Sequence, residues 1–291
     1  MKYRHSFHAG NFADVHKHVT LLALLAALCR KDKGFLYLET HSGRGAYDLS
    51  QGGTEAESGV ARFSTTANSA EELQKYSAVL ENFRAQQRNP RAYPGSPLCA
   101  AYELRPQDRA VLVELQPPEA RALELAVAGN PRIRVEQGDG FERLRAWLPP
   151  TQRRGLIFID PPYEETSRDF ERVGQAIKES LRRFRTGVIA VWYPIKDERE
   201  TAVWHAGLAR EIECDTAGPM VQTLVSELWL YPRDSRVGLN GSGLLIVNPP
   251  YLLAERMRVW LPELQALLAQ GSFGLDAGKA GGSSIRSLAP A

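Results

Sequence analysis

Cysteine is scarce in this 291-residue chain: Cys29, Cys99 and Cys214 stand apart, with no Cys-x-x-Cys pair. That excludes a disulfide framework or a zinc knuckle and fits reduced thiols in a cytoplasmic protein. Charge of one sign is missing too, with 36 Lys and Arg against 34 Asp and Glu and a net charge of +2. Composition alone therefore declares no nucleic-acid binder. The clusters Arg143/Arg145/Arg153/Arg154 and Arg168/Arg172/Lys178/Arg182/Arg183/Arg185 would supply a local basic face, or equally the solvated sides of amphipathic helices. The apolar run Val19–Leu28 is bounded by Lys17-His18 and Arg30-Lys31 and is too short to span a bilayer. Histidines and an acid precede it, so it reads neither as a membrane anchor nor as a signal peptide. No Gly-x-x-x-x-Gly-Lys-Ser/Thr cradle and no His-Glu-x-x-His helix occurs, which disfavours a triphosphate site and a zinc site. The histidines at positions 5, 8, 16, 18 and 41 thus do not read as metal ligands and no metal is expected; His18 and His41, with Lys17, read instead as a polar wall.

What is present is an alternation of helix and strand. Ala13–Cys29 reads as a helix started by Gly10-Asn11, and Phe35–Glu39 as the first strand, followed by the loop Thr40-His41-Ser42-Gly43-Arg44-Gly45. From Tyr47 to Tyr93 the pattern turns polar and then helical, as an inserted subdomain would. Ser96, with Pro97 behind it, is expected to cap the helix that reopens the core. Strands follow at Ala110–Glu114, Ile133–Glu136, Gly155–Ile159, Gly187–Trp192, Val221–Tyr231 and Leu244–Val247, separated by helices, with a last helix over Leu252–Ala269. The expected fold is α/β: a doubly wound, mostly parallel, seven-stranded sheet. Residues 1–46 form its N-terminal segment, 47–93 the insert, 94–270 the remainder and 271–291 a loose tail.

The richest motif is Asp160-Pro161-Pro162-Tyr163, directly after the apolar strand Gly155–Ile159. An exocyclic amine of a nucleobase is a poor nucleophile because its lone pair is conjugated with the ring. Asp160 can accept one of its N–H groups and the Pro161 carbonyl the other, on a turn stiffened by two prolines. Tyr163 is expected to stack on the base once it leaves its helix. Asn248-Pro249-Pro250-Tyr251 imitates the motif, but too little chain follows it to complete a sheet.

Acids end three strands, at Glu39, Glu114 and Asp160, and Asp139 sits in the loop after a fourth. In a doubly wound sheet those ends form the ligand crevice. With 47–93 set aside as an insertion, Glu114 takes the position of an acid for ribose hydroxyls, and Asp139-Gly140 that of a contact to an adenine edge. Lys17, His18 and His41 wall the same place. An acidic crevice suits a cofactor with a sulfonium and an amino group, S-adenosylmethionine, better than a pyrophosphate-bearing nicotinamide. Tyr3-Arg4-His5 suits stacking and phosphate contact with RNA.

Taken together, Tyr3–Asn11, Glu39–Gly45, Tyr93–Pro97, Glu114-Leu115, Asp139-Gly140 and Gly155–Tyr163 resemble the bacterial ribosomal RNA large-subunit methyltransferase J family, across residues 1 to about 265. The resemblance implies a Rossmann-like class I S-adenosylmethionine-dependent methyltransferase with an inserted helical subdomain. It implies methylation of N6 of adenine 2030 in 23S rRNA, by a cytoplasmic monomer. It also implies Asp160 as the proton acceptor and cofactor contact, His18, His41, Ser96, Glu114, Asp139 and Gly140 as cofactor contacts, and Tyr3 as a contact to substrate RNA. Glu39 departs from the aspartate common in methyltransferases, and Ser42 and Arg44 replace small loop residues. A DNA adenine methyltransferase shares the tetrapeptide but is expected to carry a sizeable recognition domain. A non-catalytic RNA-binding assembly factor would not need the intact acids.

Overall fold

The computed structural model describes residues 9–50, 54–66, 69–214, 220–231, 238–269 and 281–288. The chain opens with helix α1 (Phe12–Cys29), which starts where Asn11 accepts the Asp14 N–H at 2.9 Å. An N-cap oxygen satisfies one of the donors that a helix start leaves open. By length and composition α1 is the one described helix able to cross a membrane, yet it lies mostly inside the protein. Leu21, Leu22, Leu24 and Leu25 are almost fully buried, each contributing about 1.5–3 kcal/mol relative to exposure.

Strand β1 (Leu36–Glu39) follows, then β2 (Ala46–Asp48), helix α2 (Glu71–Gln87), β3 (Ala92–Pro94) and α3 (Ser96–Glu103). Beyond them come β4 (Arg109–Glu114), α4 (Pro117–Ala126), β5 (Ile133–Gln137), α5 (Gly140–Trp147), β6 (Gly155–Ile159), α6 (Thr166–Arg183), β7 (Val188–Ile195) and α7 (Glu198–Cys214). The chain closes with β8 (Thr223–Trp229), β9 (Gly241–Val247), α8 (Leu253–Ala269) and β10 (Gly282–Arg286). The main sheet runs β10-β8-β9-β7-β6-β1-β4-β5. The strands from β7 to β5 are mutually parallel, β9 is antiparallel to both β7 and β8, and β10 is antiparallel to β8.

Strand side chains alternate between two cores. Tyr37, Leu112, Leu156 and Phe158 enter the core beneath α1 and α8, whereas Leu38, Val111, Ile157 and Ile159 enter the core beneath α5 and α6. A parallel strand covered on both faces must be apolar throughout, which is why Gly155–Ile159 is an unbroken run.

The inserted segment is closed at its base by the β2–β3 ladder, where Tyr47 pairs with Tyr93 and Asp48 with Ala92. Its helix α2 packs on α1 and α8, and Arg256 ties it down through Glu72 at 2.6 Å and Glu71 at 3.0 Å. Two expectations need correction here. The sheet has eight strands rather than seven, because residues 282–286 of the expected loose tail form β10; residues 271–280 lie outside the described residues. Ser96 does not cap α3. Gly95 occupies the cap without a side-chain bond, and the Ser96 hydroxyl donates to Glu39 instead.

Candidate active site

The parallel strands present their C-terminal ends along one rim, and the four expected acids lie there. Glu39 ends β1, Glu114 ends β4, Asp139 follows β5 and Asp160 follows β6, four adjacent strands in the order β5-β4-β1-β6. A small cavity of about 40 Å³ on this rim is lined by Lys17, His18, His41, Ser42, Ser96 and Asp160, with Asp14 and Gly43 among the other walls. Residues spread from position 14 to position 160 thus converge.

Lys17 occupies the centre. Its Nζ lies 2.7 Å from Asp160 Oδ2 and 2.7 Å from Asp14 Oδ1. Burial works against that charge, but the two carboxylates outweigh it and hold the ammonium protonated well above the ordinary lysine range. The same cation lies 5.5 Å from the centre of the half-buried Trp192 ring, whose Nε1 donates to Ser242 Oγ at 3.0 Å. The sequence alone places Lys17 only as a wall and does not single out Trp192. The signal for Lys17 is its position one turn beyond Asp14 on α1, since residues three apart share a helix face.

His18 is neutral: burial depresses its imidazole to about 3. Its Nδ1 is 3.0 Å from Tyr93 Oη, and the two rings stack. His16, two residues earlier, points the other way, with Nδ1 3.0 Å from Ser242 Oγ and Nε2 3.0 Å from Ser226 Oγ. Among the described residues, no group of three or more His, Cys, Asp or Glu side chains is placed to hold a metal.

Glu114 fixes the first loop, accepting the Gly43 N–H at 2.7 Å and the Gln116 N–H at 2.8 Å. Gly43 and Gly45 take φ of +60° and +80°, the left-handed region that glycine enters without strain. Asp139 caps α5 by accepting the Phe141 N–H at 2.9 Å, and its other oxygen receives Arg172 at 2.7 Å. Burial raises this carboxyl, but the Arg172 bond and charge prevail and leave it below the usual aspartate range. Phe141 lies between His41, 4.9 Å away edge-on, and the Arg172 guanidinium, 4.6 Å over its face.

The Ser42 hydroxyl near this loop is buried without a hydrogen-bond partner, and Glu39 Oε2 is buried with the Tyr37 hydroxyl beside it. Burial, reinforced by the Asp160 charge, pushes the Glu39 carboxyl up to about 8 despite the hydrogen bond from Ser96. Unpartnered buried acceptors are costly. An acceptor set of this kind fits the cationic methionine end of S-adenosylmethionine.

Tyr163 requires correction as a stacking residue. It is 1% exposed, takes φ of +49°, donates its hydroxyl to the Trp192 carbonyl at 2.7 Å, and packs against Phe170 and Trp192. Its ring has no face open to a base, and the aromatic that faces the Lys17 ammonium is Trp192. Asn248 lies on the opposite rim. It follows Val247, which pairs with Ile189 near the start of β7, and its amide donates to the carbonyls of Arg185 and Gly187. Several arginines of the clusters are ion-paired: Arg145, Arg182 and Arg183 share the one carboxylate of Glu179, Arg143 meets Glu136 and Arg168 meets Glu165. Tyr3 and Arg4 lie outside the described residues.

A Rossmann-like sheet with an antiparallel β9 between β7 and β8 places its ligand crevice, lined with acids, at the carboxyl rim, and this chain is a methyltransferase. Residues 32–277 match the family model described as ribosomal RNA large subunit methyltransferase D, RlmJ, and the chain belongs to that family. It is 40% identical over 280 residues to the ribosomal RNA large subunit methyltransferase J of Escherichia coli K12, covering 94% of this chain and 96% of the relative. It is 38% identical over 277 residues to the protein of the same name from Haemophilus influenzae, with the same two coverages. A crystal structure of a Legionella pneumophila protein superposes with a TM-score of 0.83 at 37% identity, covering 96% of this chain and 98% of that one.

Proposed function

We propose that this enzyme methylates N6 of an adenine in 23S rRNA, at the position equivalent to adenine 2030, acting as a monomer in the cytoplasm. The observation that carries the reading is the convergence of Asp160, Lys17, His18, His41 and Ser96 on one cavity at the carboxyl rim. The names of the curated relatives support ribosomal RNA as the substrate.

Bound S-adenosylmethionine supplies an electrophilic methyl group on a sulfonium. Glu39, Ser42 and Ser96 would hold its methionine end, Glu114 its ribose, and Asp139 with Gly140 its adenine edge, with His18 and His41 closing the walls. Asp160 and the Pro161 carbonyl accept the two N–H groups of the target amine and turn its lone pair out of conjugation. For Asp160 to do so, Lys17 gives up its 2.7 Å contact and keeps Asp14 as counter-ion. Trp192 supports the target ring. Holding the reactants in line supplies much of the acceleration, and the proton leaves through Asp160 to water, because a methylated anilinium-like nitrogen is itself strongly acidic.

Transfer of labelled methyl groups to transcribed 23S rRNA fragments, with duplex DNA in parallel, tests the reading. RNA is expected to be methylated and DNA not. Asp160→Ala should lower the rate by at least about 10²–10⁴-fold, while calorimetric binding of S-adenosylhomocysteine weakens only moderately. Asn248→Ala should stay near wild type. Preference for DNA, or a reversed ranking of the two variants, would overturn it.

A further inference from the structure

A second, roomier cavity lies beside the catalytic one, not in it. Its volume is about 400 Å³, and it is lined by Arg44, Tyr47, Asp48, Phe83, Gln87 and Asn89. One wall is the β2–β3 ladder and the other is the C-terminal turn of α2, so the insert builds it. Tyr47 lines both cavities, which makes them neighbours along one continuous wall.

Its chemistry is that of a nucleotide site. The aromatic rings of Tyr47 and Phe83 offer surfaces for a base. The Gln87 amide has no hydrogen-bond partner among the described residues, and the Asn89 amide, bonded to Asp48 Oδ2 at 3.2 Å, lies beside it. Planar amides and a carboxylate match the mixed donors and acceptors of a base edge. The stretch 83–91 holds Arg84, Arg88 and Arg91 and no acid. Arg88 and Arg91 are exposed and make no ion pair among the described residues, and they adjoin the lining residues Gln87, Asn89 and Ala92. These two cations contrast with the helix arginines of α5 and α6 that form ion pairs with Glu136 and Glu179.

We propose that this groove binds an unpaired nucleotide of the substrate RNA flanking the target adenine, its base against Tyr47 and Phe83 and its phosphates against Arg88 and Arg91. The inference rests on ribosomal RNA being the substrate. The insert then serves to hold the strand while the target base reaches Asp160. A protein partner would want an apolar surface, whereas this groove is lined by polar side chains and adjoined by the cations Arg88 and Arg91.

Anisotropy with a fluorescently labelled transcribed 23S rRNA fragment, titrated at several salt concentrations against the full chain, tests it. Arg88→Gln/Arg91→Gln should weaken binding roughly tenfold and reduce the log–log salt slope by about 1.4–1.8, the loss of two phosphate contacts. Phe83→Ala should weaken it about tenfold with the slope unchanged. S-adenosylhomocysteine affinity should stay within about twofold in both, since neither variant touches the cofactor residues. Ultraviolet crosslinking of 4-thiouridine RNA to the wild-type protein should mark residues 83–91 or Tyr47, a readout that stands even if a variant fails to fold. Unchanged affinity and slope, or crosslinks confined elsewhere, overturn the groove, as does a wild-type protein that binds no RNA. Groove-dependent RNA binding without methyl transfer would instead retain the groove and overturn the catalytic reading.

Discussion

Glu39 is a buried acid whose carboxyl is pushed up to about 8, so in the ligand-free protein at pH 7 it carries its proton. Raised above 4.5 in the folded state, it contributes stability below pH 4.5 that is lost as pH climbs toward 8. A cation placed beside it reverses the balance by favouring the ionised form. Binding of S-adenosylmethionine near pH 7 should therefore release close to one proton, and affinity should rise from pH 6 to pH 8 and then level. Calorimetry in two buffers of different ionisation enthalpy measures the release. Glu39→Gln should abolish it and weaken binding, and proton-neutral binding by the wild type would show that no cation settles against this acid. Residue chemistry of this kind is legible in the sequence as types and spacing: acids at strand ends, and glycines in the loop between them. The partner each residue takes is not legible. Ser96 bonding Glu39, Lys17 bridging Asp14 and Asp160, and Tyr163 turned inward to the Trp192 carbonyl are all made by contacts distant in the chain.

At the scale of elements, the joint between β1 and α5 holds the rim together. A Cβ on Gly140 would sit 1.9 Å from the Thr40 carbonyl oxygen, so the start of α5 approaches the cofactor loop as only glycine allows. Both parties are backbone and neither yields cheaply. Gly140→Ala should destabilise the fold by roughly 1–3 kcal/mol or more and weaken cofactor binding by displacing the Thr40–Ser42 loop. Gly174→Ala, in the middle of α6 with nothing within 4 Å of the added Cβ, should stabilise by up to about 1 kcal/mol. Urea midpoints at constant slope would check the opposite signs. The central strands of the sheet are those most readable without a structure. Strands β1, β4, β6, β7 and β9 are apolar runs because both their faces are covered, and apolar runs punctuated by glycine and proline stand out in a sequence. Strand β10 is the converse case. Gly282-Ser283-Ser284-Ile285-Arg286 has no alternating apolar face, and it is a strand only because β8 offers an edge, with Ser284 and Arg286 reaching Glu227.

At the scale of the whole molecule, three histidines are folded away in the neutral state. His16 and His18 on α1 and His205 on α7 are each depressed to about 3, in every case by burial first, with the charge of Lys17 adding to it at His18 and that of Arg286 at His205. An imidazole whose folded value lies below its unfolded 6.5 contributes stability that is present above pH 6.5 and lost as pH falls toward 3. Between those limits the unfolded chain binds up to three more protons on these imidazoles, offset above pH 4.5 by the one that Glu39 holds in the folded protein, a net difference of up to two. Each net proton is worth about 1.4 kcal/mol per pH unit, so the slope should approach about 3 kcal/mol per unit below pH 6. Against a typical total of about 5–15 kcal/mol, that predicts acid unfolding well before carboxylates such as Asp14, also held below its ordinary range, are protonated. Glu39 acts in the opposite sense toward alkaline pH, which places maximum stability near neutrality. Urea unfolding at intervals from pH 7.5 to pH 4.5 measures the slope, and His205→Gln, remote from the catalytic rim, should reduce it by about one proton. Stability that stays flat from pH 7 to pH 5 would mean that these imidazoles titrate in the folded protein as they do in water.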